Sequence, residues 1–204
     1  MAATPLAPLP LQPVTLQGDL VALVPLATGH HDALCDAAHD GELWRLWYTS
    51  VPAPEAMAAE IARRLALQEA GAMLPFTVID RRSGRVVGQT TYMNIDLAGP
   101  RLEIGSTWYA RAAHRSGLNT EAKLLLLGYA FEALDCLAVE LRTHFMNHQS
   151  RRAIERLGAR LDGVLRNHQR AKDGTLRDSC VYSIISSEWP TVRSHLTWQL
   201  EKPR

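Results

Sequence analysis

The sequence predicts an α/β fold in which helices cover both faces of a central, mixed but mostly antiparallel sheet. Predicted strands and helices do not alternate strictly along the chain, so a purely parallel sheet is disfavoured. Turn signals join neighbouring strands, which favours antiparallel hairpins. The length of 204 residues, of which 47% are hydrophobic and 21% charged, suits one ordinary globular domain with a sizeable core.

The chain starts with a predicted flexible arm at residues 1–13, followed by a single domain at residues 14–204. Four prolines exclude a helix or a central strand from the arm: Pro5, Pro8, Pro10 and Pro13. The arm is therefore expected to lie outside the core. Weak alternation predicts the first strand at residues 20–26, and residues 28–46 have helical composition.

The middle of the chain predicts one helix and three antiparallel strands. Apolar residues recur every fourth position along the helix: Met57, Ile61 and Leu65. A proline opens this helix and a glycine closes it, which bounds it at residues 55–70. Short turns rich in Gly, Ser and Pro separate the strands, predicted at residues 76–80, 86–94 and 102–109.

The second half of the chain contains the strongest helical pattern, at residues 118–134, with a broad apolar face. A strand at residues 138–144 and a helix at residues 149–157 follow, and Gly158 ends that helix. The remaining elements are a closing hairpin and a last helix, predicted at residues 161–167, at residues 179–186 and from Ser187 onward.

Composition also excludes several classes of protein. The first 44 residues contain no Lys or Arg, which argues against a secretory signal or a mitochondrial presequence and predicts a cytoplasmic location. No stretch of about 18 apolar residues is present, so no membrane partner is predicted. The three cysteines are widely spaced and are interpreted as reduced, packed thiols rather than as disulfides or zinc ligands: Cys35, Cys136 and Cys180.

Charge is balanced globally but uneven locally. The net charge of +1 gives no general attraction to nucleic acid, and no nucleic-acid partner is predicted. Between Arg142 and Arg177, however, nine basic residues stand against only three acidic ones: Glu155, Asp162 and Asp173. This segment is either a solvated arginine face or a surface that receives an anionic ligand.

A glycine loop joins the strand that ends at Tyr109 to the longest helix. The backbone N–H groups and the positive end of the helix dipole favour phosphate there, Gly117 allows close approach, and Arg115 adds charge. An ordinary strand-to-helix turn is the alternative. A dinucleotide-binding fold is disfavoured, because the loop has one glycine where G-x-G-x-x-G needs three.

A second strand-to-helix junction, at residues 147–152, makes a more specific interpretation possible. With it, the sequence resembles the GNAT superfamily of N-acetyltransferases, and more narrowly the branch that contains the ribosomal-protein N-terminal acetyltransferases (RimJ/RimL-like). The resemblance runs from about Leu20 to Trp198. Its main matches are Glu103-Ile104-Gly105, Gly117-Leu118-Asn119-Thr120-Glu121-Ala122-Lys123, Asn147-x-x-Ser150-x-Arg152-Ala153-Ile154 and Leu157-Gly158-Ala159. His114 and Asn119 depart from the family pattern, which has Gln or Arg and Gly or Ala at these positions, although Asn119 would serve as an N-cap.

The resemblance implies a fold with splayed central strands and acetyl-CoA as co-substrate, with the pantetheine lying between these strands. It also implies the residues that would bind acetyl-CoA: Trp108, Tyr109, His114, Arg115, Ser116, Gly117, Leu118, Asn119, Thr120, Asn147 and Arg152. The implied catalytic pair is Glu103, a base for the amine, and Ser150, an acid for the departing thiolate. Each has an alternative: Glu103 could be a strand carboxylate facing solvent, Ser150 a helix N-cap, and Asn147 a turn residue.

The acceptor is less determined by the sequence than the donor. A primary amine is expected, either a protein or peptide N-terminus or a small molecule, and a non-catalytic acyl-CoA-binding module is a further alternative. Trp44, Trp47 and Tyr48 either line an acceptor pocket or pack in the core. Histidines such as His144 and His148 lack metal-ligand spacing and are interpreted as surface or capping residues, so no metal is predicted. A homodimer is left open.

Overall fold

A computed structural model describes residues 11–171 and 173–202. Eight strands form one sheet in the order β1-β2-β3-β4-β5-β6-β8-β7. The strands are β1 Leu16–Gln17, β2 Val21–Pro25, β3 Met73–Asp80, β4 Val86–Asp96, β5 Arg101–Tyr109, β6 Ala138–His144, β7 Arg160–Arg170 and β8 Leu176–Ile185. The helices are α1 His31–His39, α2 Met57–Glu69, α3 Leu118–Gly128, α4 His148–Glu155 and α5 Trp189–Glu201. The mixed, mostly antiparallel sheet that the sequence predicts is confirmed.

The helix predicted at residues 28–46 is wrong in its second half. A 3-10 turn at Thr28–His30 leads into α1, which ends at His39. Gly41 and Glu42 then adopt left-handed backbone angles, with φ of +102° and +46°. Because a right-handed helix cannot pass through such residues, the chain continues as a separate 3-10 turn at Leu43–Arg45.

The long helix predicted at residues 118–134 is present, but its last turn changes hydrogen-bond pattern. After α3, residues Tyr129–Ala133 form a π-helical turn, in which the Leu134 N–H donates to the Tyr129 carbonyl oxygen at 3.1 Å. The change coincides with a contact from the sheet, since the buried Tyr92 hydroxyl donates to the Leu126 carbonyl oxygen at 2.5 Å. A side chain bonded into the helical ladder is a known cause of such irregularity.

Helices cover the two faces of the sheet and enclose two hydrophobic clusters. The larger cluster contains α3 and α5 residues together with Tyr109, and the smaller one contains α1 and α2 residues together with Trp108. Adjacent residues of a strand point to opposite faces, so these clusters lie on opposite sides of the sheet. Leu11 is partly buried against the larger cluster, although the sequence analysis placed residues 1–13 outside the core. Residues 1–10 of that arm lie outside the described residues.

The parallel strands β5 and β6 pair over three residues before they part. The register joins Arg101 to Ala138 and continues to Glu103 opposite Glu140, where it stops. Beyond that point β5 is paired with β4 on one side, and β6 with β8 on the other. The separation opens the middle of the sheet, as the resemblance implied, and exposes one backbone edge of β5.

Candidate functional site

A cavity of about 460 Å³ opens where β5 and β6 part. Its lining comes from both strands, from α3 and α4, and from the segment around residues 43–51. Seven residues that the sequence analysis assigned to the site line it: Glu103, Trp108, Tyr109, His114, Asn119, Asn147 and Ser150. The other assigned residues are not among its lining residues: Arg115, Ser116, Gly117, Leu118, Thr120 and Arg152.

Glu103 lies on β5 in the last β5–β6 pair, opposite Glu140, and only 6% of its surface is exposed. Asn94 donates a hydrogen bond to Glu103 Oε2 at 2.8 Å, and Arg142 Nε lies 3.4 Å from the same oxygen. Burial raises the pKa of the Glu103 carboxyl, while Asn94 and Arg142 oppose that rise. The alternative of a strand carboxylate facing solvent is therefore wrong, and Glu103 is a buried, hydrogen-bonded group with a raised pKa.

The N-terminus of α4 brings Asn147 and Ser150 into the cavity. Asn147 is the N-cap, because its Oδ1 accepts the Ser150 backbone N–H at 3.0 Å. Ser150 is the third residue of the helix, so the interpretation of Ser150 as an N-cap is wrong. Asn147 fulfils the turn and capping role that was its alternative, and it also lines the cavity.

The loop before α3 has the backbone geometry of a tight strand-to-helix turn. Gly117 is the N-cap and has a φ of +92°, and Arg115 is also left-handed with a φ of +59°. The Ser116 hydroxyl donates to the Ala113 carbonyl oxygen at 2.5 Å, which closes the turn. Because Gly117 takes the N-cap position, Asn119 does not cap the helix but lies in its first turn.

Three further residues assigned to the site face other surroundings. Leu118 belongs to the larger core cluster, and Thr120 is 5% exposed and accepts a hydrogen bond from Arg156 at 3.1 Å. Arg152 is exposed on α4, whereas its neighbour Arg151 donates to the Tyr182 hydroxyl at 3.1 Å and packs over the Phe145 ring. The side chains of Leu118 and Thr120 have structural contacts, so any ligand contact at these two residues would come from the backbone.

Several buried polar atoms in the cavity wall have no hydrogen-bond partner among the described residues. These atoms are Tyr109 Oη, Asn119 Oδ1 and His144 Nε2. Buried polar groups are nearly always paired in folded proteins, so three unpaired ones among the lining residues of one cavity favour a polar ligand. Burial raises the pKa of the Tyr109 hydroxyl and lowers the pKa of His144. Both side chains are therefore neutral near pH 7.

His144 differs from its interpretation as a surface residue. It is 6% exposed, lines the cavity, and its Nδ1 accepts the Met146 backbone N–H at 3.0 Å, which is a capping contact. The Trp47 ring packs edge-on against the imidazole with centroids 5.0 Å apart, while Trp47 itself is 54% exposed. Tyr48 lines the cavity, and Trp44 packs against the smaller core cluster. Trp44 thus packs in the core, whereas an acceptor pocket lined by these aromatic residues stays a prediction.

Sequence reasoning assigned no role to four cationic residues of the cavity wall: Arg64, Lys123, Arg142 and Arg177. Arg64 and Lys123 are 3% and 4% exposed. Arg64 pairs with Glu60 at 2.7 Å and donates to the Thr91 hydroxyl at 2.7 Å. For Lys123 a signal was available, since Leu126 and Leu127 lie three and four residues further on and place the lysine on the apolar face of α3.

The described ranges, 11–171 and 173–202, hold no group of three or more His, Cys, Asp or Glu residues that could bind a metal ion. No helix in them is both long and apolar enough to cross a bilayer. Cytoplasmic location and the absence of nucleic-acid and membrane partners stay predictions.

Comparison with protein families places the chain in a known group. Residues 21–160 match the model of the acetyltransferase (GNAT) domain, so the chain belongs to the GNAT acetyltransferase family. Among curated proteins it is similar to the uncharacterized N-acetyltransferase p20 of Bacillus licheniformis, with 28% identity over 56% of this chain. It is also similar to YdaF of Bacillus subtilis (strain 168), provisionally named a ribosomal N-acetyltransferase, with 31% identity over 52% of this chain. The aligned segments span 63% and 57% of those two proteins.

Solved structures show the same fold over nearly the whole chain. A GCN5-related N-acetyltransferase from Brucella melitensis has 31% identity and a TM-score of 0.82, covering 93% of this chain and 86% of that one. RimJ of Mycobacterium smegmatis, solved in complex with CoA-disulfide, has 24% identity and a TM-score of 0.78, covering 92% of this chain and 95% of its own. At that identity the second likeness supports the fold alone.

Proposed function

We propose that this protein transfers an acetyl group from acetyl-CoA to a primary amine, and that the cavity between β5 and β6 is where the transfer occurs. The observation that carries the proposal is a buried carboxylate at the point where two neighbouring strands of the sheet separate. Glu103 lies where β5 and β6 separate, and three lining residues of the same cavity carry unpaired buried polar atoms. The membership of the chain in the GNAT family is consistent with this chemistry.

The cavity and the α3 loop fit the two ends of acetyl-CoA. The unpaired edge of β5 near Trp108 and Tyr109 offers backbone groups to the amides of the pantetheine, and Asn147 and Asn119 offer side-chain amides. Phosphates are negatively charged, and the N-terminus of α3 beside Gly117 and Arg115 provides N–H groups and the positive end of the helix dipole. We assign the pantetheine to the cavity and the pyrophosphate to this loop.

Glu103 is proposed as the base. In the transfer, the amine nitrogen forms a bond to the acetyl carbon, the bond from that carbon to sulfur breaks, and the nitrogen loses a proton. Glu103 accepts this proton directly or through water, and its raised pKa makes the carboxylate a better base than an exposed one. Asn94 and Arg142 hold the carboxylate in place.

Ser150 is proposed as the acid that returns a proton to the thiolate of CoA. Ser150 lies in the first turn of α4 and is one of the residues that line the cavity. The bond from its backbone N–H to Asn147 fixes the position of the residue without using the hydroxyl. The hydroxyl is thus available to the leaving group.

The acceptor is proposed to enter from the side of Trp47 and Tyr48, with peptide N-termini as the first class to test. Trp47 is more than half exposed and Tyr48 lines the cavity, so the mouth presents aromatic surface to an incoming chain. The provisional name of the similar Bacillus subtilis protein points to the same class of acceptor. A panel of peptides with varied N-termini, polyamines and aminoglycosides, each with acetyl-CoA, identifies the acceptor.

Thermal unfolding tests the binding of acetyl-CoA. A ligand at about 100 times its dissociation constant stabilises the folded state by about 2.7 kcal/mol, so a clear rise in Tm is expected. Gly117→Glu should abolish this rise, because the new carboxylate would repel the pyrophosphate. Gly174→Glu is the matched control, since Gly174 also has a positive φ, of +87°, but lies in open space. Absence of a shift in the wild type would refute the proposal, and a shift without turnover on any amine would favour a non-catalytic acyl-CoA-binding module.

A further inference from the structure

Lys123 is a buried cation for which the proposed mechanism has no role. It lies in the second turn of α3, is 4% exposed and lines the cavity. Its Nζ donates to the hydroxyl of Thr107 on β5 at 2.9 Å and to that of Thr90 on β4 at 3.4 Å. The two hydroxyls lie 2.8 Å apart, so the three groups form one hydrogen-bonded cluster under the sheet.

No carboxylate among the described residues lies within ion-pair distance of Lys123. The other charged and titratable side chains of the cavity wall are Tyr48, Arg64, Glu103, Tyr109, His114, Arg142, His144, His168 and Arg177. Glu103, the one carboxylate in this set, is held by Asn94 and Arg142 instead. Burial without a counter-charge lowers the pKa of Lys123 to about 7. An apolar side chain would fill the same space without this penalty, which favours a functional reason for the lysine.

The cluster fixes an irregularity in β5 at the point where the strand borders the cavity. The β4–β5 register joins Gln89 to Trp108 and Thr91 to Gly105, so Thr90 alone faces two residues, Ser106 and Thr107. This is a β-bulge, and Ser106 has the left-handed φ of +48° that accompanies it. Through the Thr107 hydroxyl, Lys123 therefore ties the bulged part of β5 to α3, the helix that starts at the proposed pyrophosphate loop.

We infer that Lys123 is a positioning residue for acyl transfer, which holds the Thr107 bulge and sets a positive charge beneath the reacting thioester carbonyl. The inference rests on the proposed function, which lays the pantetheine along the β5 edge near Trp108, and it takes the thioester to lie beside Trp108. Attack by the amine places negative charge on the carbonyl oxygen. Because Lys123 is buried, water screens its charge little, so it stabilises a nearby negative charge more strongly than it would in solvent.

Steady-state kinetics of Lys123→Met test the inference, with Lys202→Met as the matched control. Lys202 is at the end of α5 and packs on Trp198, away from the cavity. We expect kcat of Lys123→Met to fall by about 10- to 100-fold, less than the roughly 100- to 1000-fold for loss of a direct oxyanion donor, with the KM for acetyl-CoA changed less than about threefold. The Tm should hold or rise, because a buried charge is removed. Lys202→Met should match the wild type.

The pH dependence separates the electrostatic role from a purely structural one. Lys123 contributes only while it is protonated, so the ratio of wild-type to Lys123→Met kcat should decline as the pH rises through the pKa of the lysine. A structural role would leave this ratio constant with pH. Thr107→Val keeps the charge and removes the hydroxyl, so it should lower kcat by a smaller factor than Lys123→Met. The ratio of its kcat to that of Lys123→Met should still decline with rising pH.

Two results would overturn the inference. If Lys123→Met has the kcat of the wild type, or if it loses activity only because its Tm falls, the lysine is structural. The proposed function then still stands. A wild type without an acetyl-CoA shift in Tm would remove the proposed function, and the inference with it. If Lys123→Met does not fold, Thr107→Val and the wild-type pH profile decide: unchanged kcat in Thr107→Val refutes the role of the bulge contact.

Discussion

Substitution of Glu121 by Gln should lower the stability of the protein markedly, although the two side chains are nearly isosteric. Glu121 lies in the first turn of α3 and is 7% exposed. Its carboxylate accepts three backbone N–H groups from the segment that leads into β2: Asp19 at 3.0 Å, Leu20 at 2.7 Å and Val21 at 2.7 Å. One side chain thus fastens the start of the domain to its central helix.

The size of the effect follows from these three bonds. A hydrogen bond to a charged group contributes about 1.5–3 kcal/mol, and a buried donor left without a partner costs about 1–3 kcal/mol. Gln keeps one acceptor oxygen but places an amide N–H against at least one backbone N–H. We therefore expect a loss of about 2–4 kcal/mol, which in a protein of this size lowers Tm by roughly 5–15 °C.

Urea unfolding followed by circular dichroism measures the free energy of unfolding, and a thermal scan gives the Tm. Glu69→Gln is the control, because Glu69 is exposed at the end of α2 and its replacement should change stability by less than about 0.5 kcal/mol. Gly18→Ala adds an independent check, since a Cβ there would overlap the Glu121 carboxylate. It should destabilise the wild type but have little effect in a Glu121→Ala background. A Tm of Glu121→Gln within 2 °C of the wild type would refute the reasoning.

Three further predictions concern Glu103. In Glu103→Gln, kcat should fall and should no longer rise with pH, because that rise comes from ionisation of the base. Acetyl-CoA should still raise the Tm of this variant. Full activity across the pH range would exclude Glu103 as the base. Because burial raises the folded-state pKa of Glu103, its ionisation opposes folding as the pH rises through that pKa, so the Gln variant should gain Tm relative to the wild type with rising pH. In Gly105→Ala, a Cβ would lie 2.7 Å from both Glu103 Oε1 and Met93 Sδ, so kcat should fall without loss of acetyl-CoA binding; an unchanged kcat would show that the carboxylate tolerates displacement.

Local patterns in the sequence were sufficient to predict most elements of the fold. The alternation and turn signals before the glycine loop predicted β3, β4 and β5, and the broad apolar face at residues 118–134 predicted the long helix. Where the prediction was wrong, in the helix drawn through residues 28–46, Glu42 adopts a left-handed angle that non-glycine residues seldom take. Composition does not report such an angle.

For the candidate site too, the sequence determined one part and the tertiary structure another. The sequence by itself indicated the family and pointed to Glu103, Asn147 and Ser150, because Glu103 lies in the strand motif before the glycine loop and the other two lie at a strand-to-helix junction. The tertiary structure decided their surroundings: it buried Glu103, moved the N-cap from Ser150 to Asn147, and brought Lys123 under the β5 bulge. Burial and pairing depend on groups far apart in the chain, and a local pattern cannot report which of them meet.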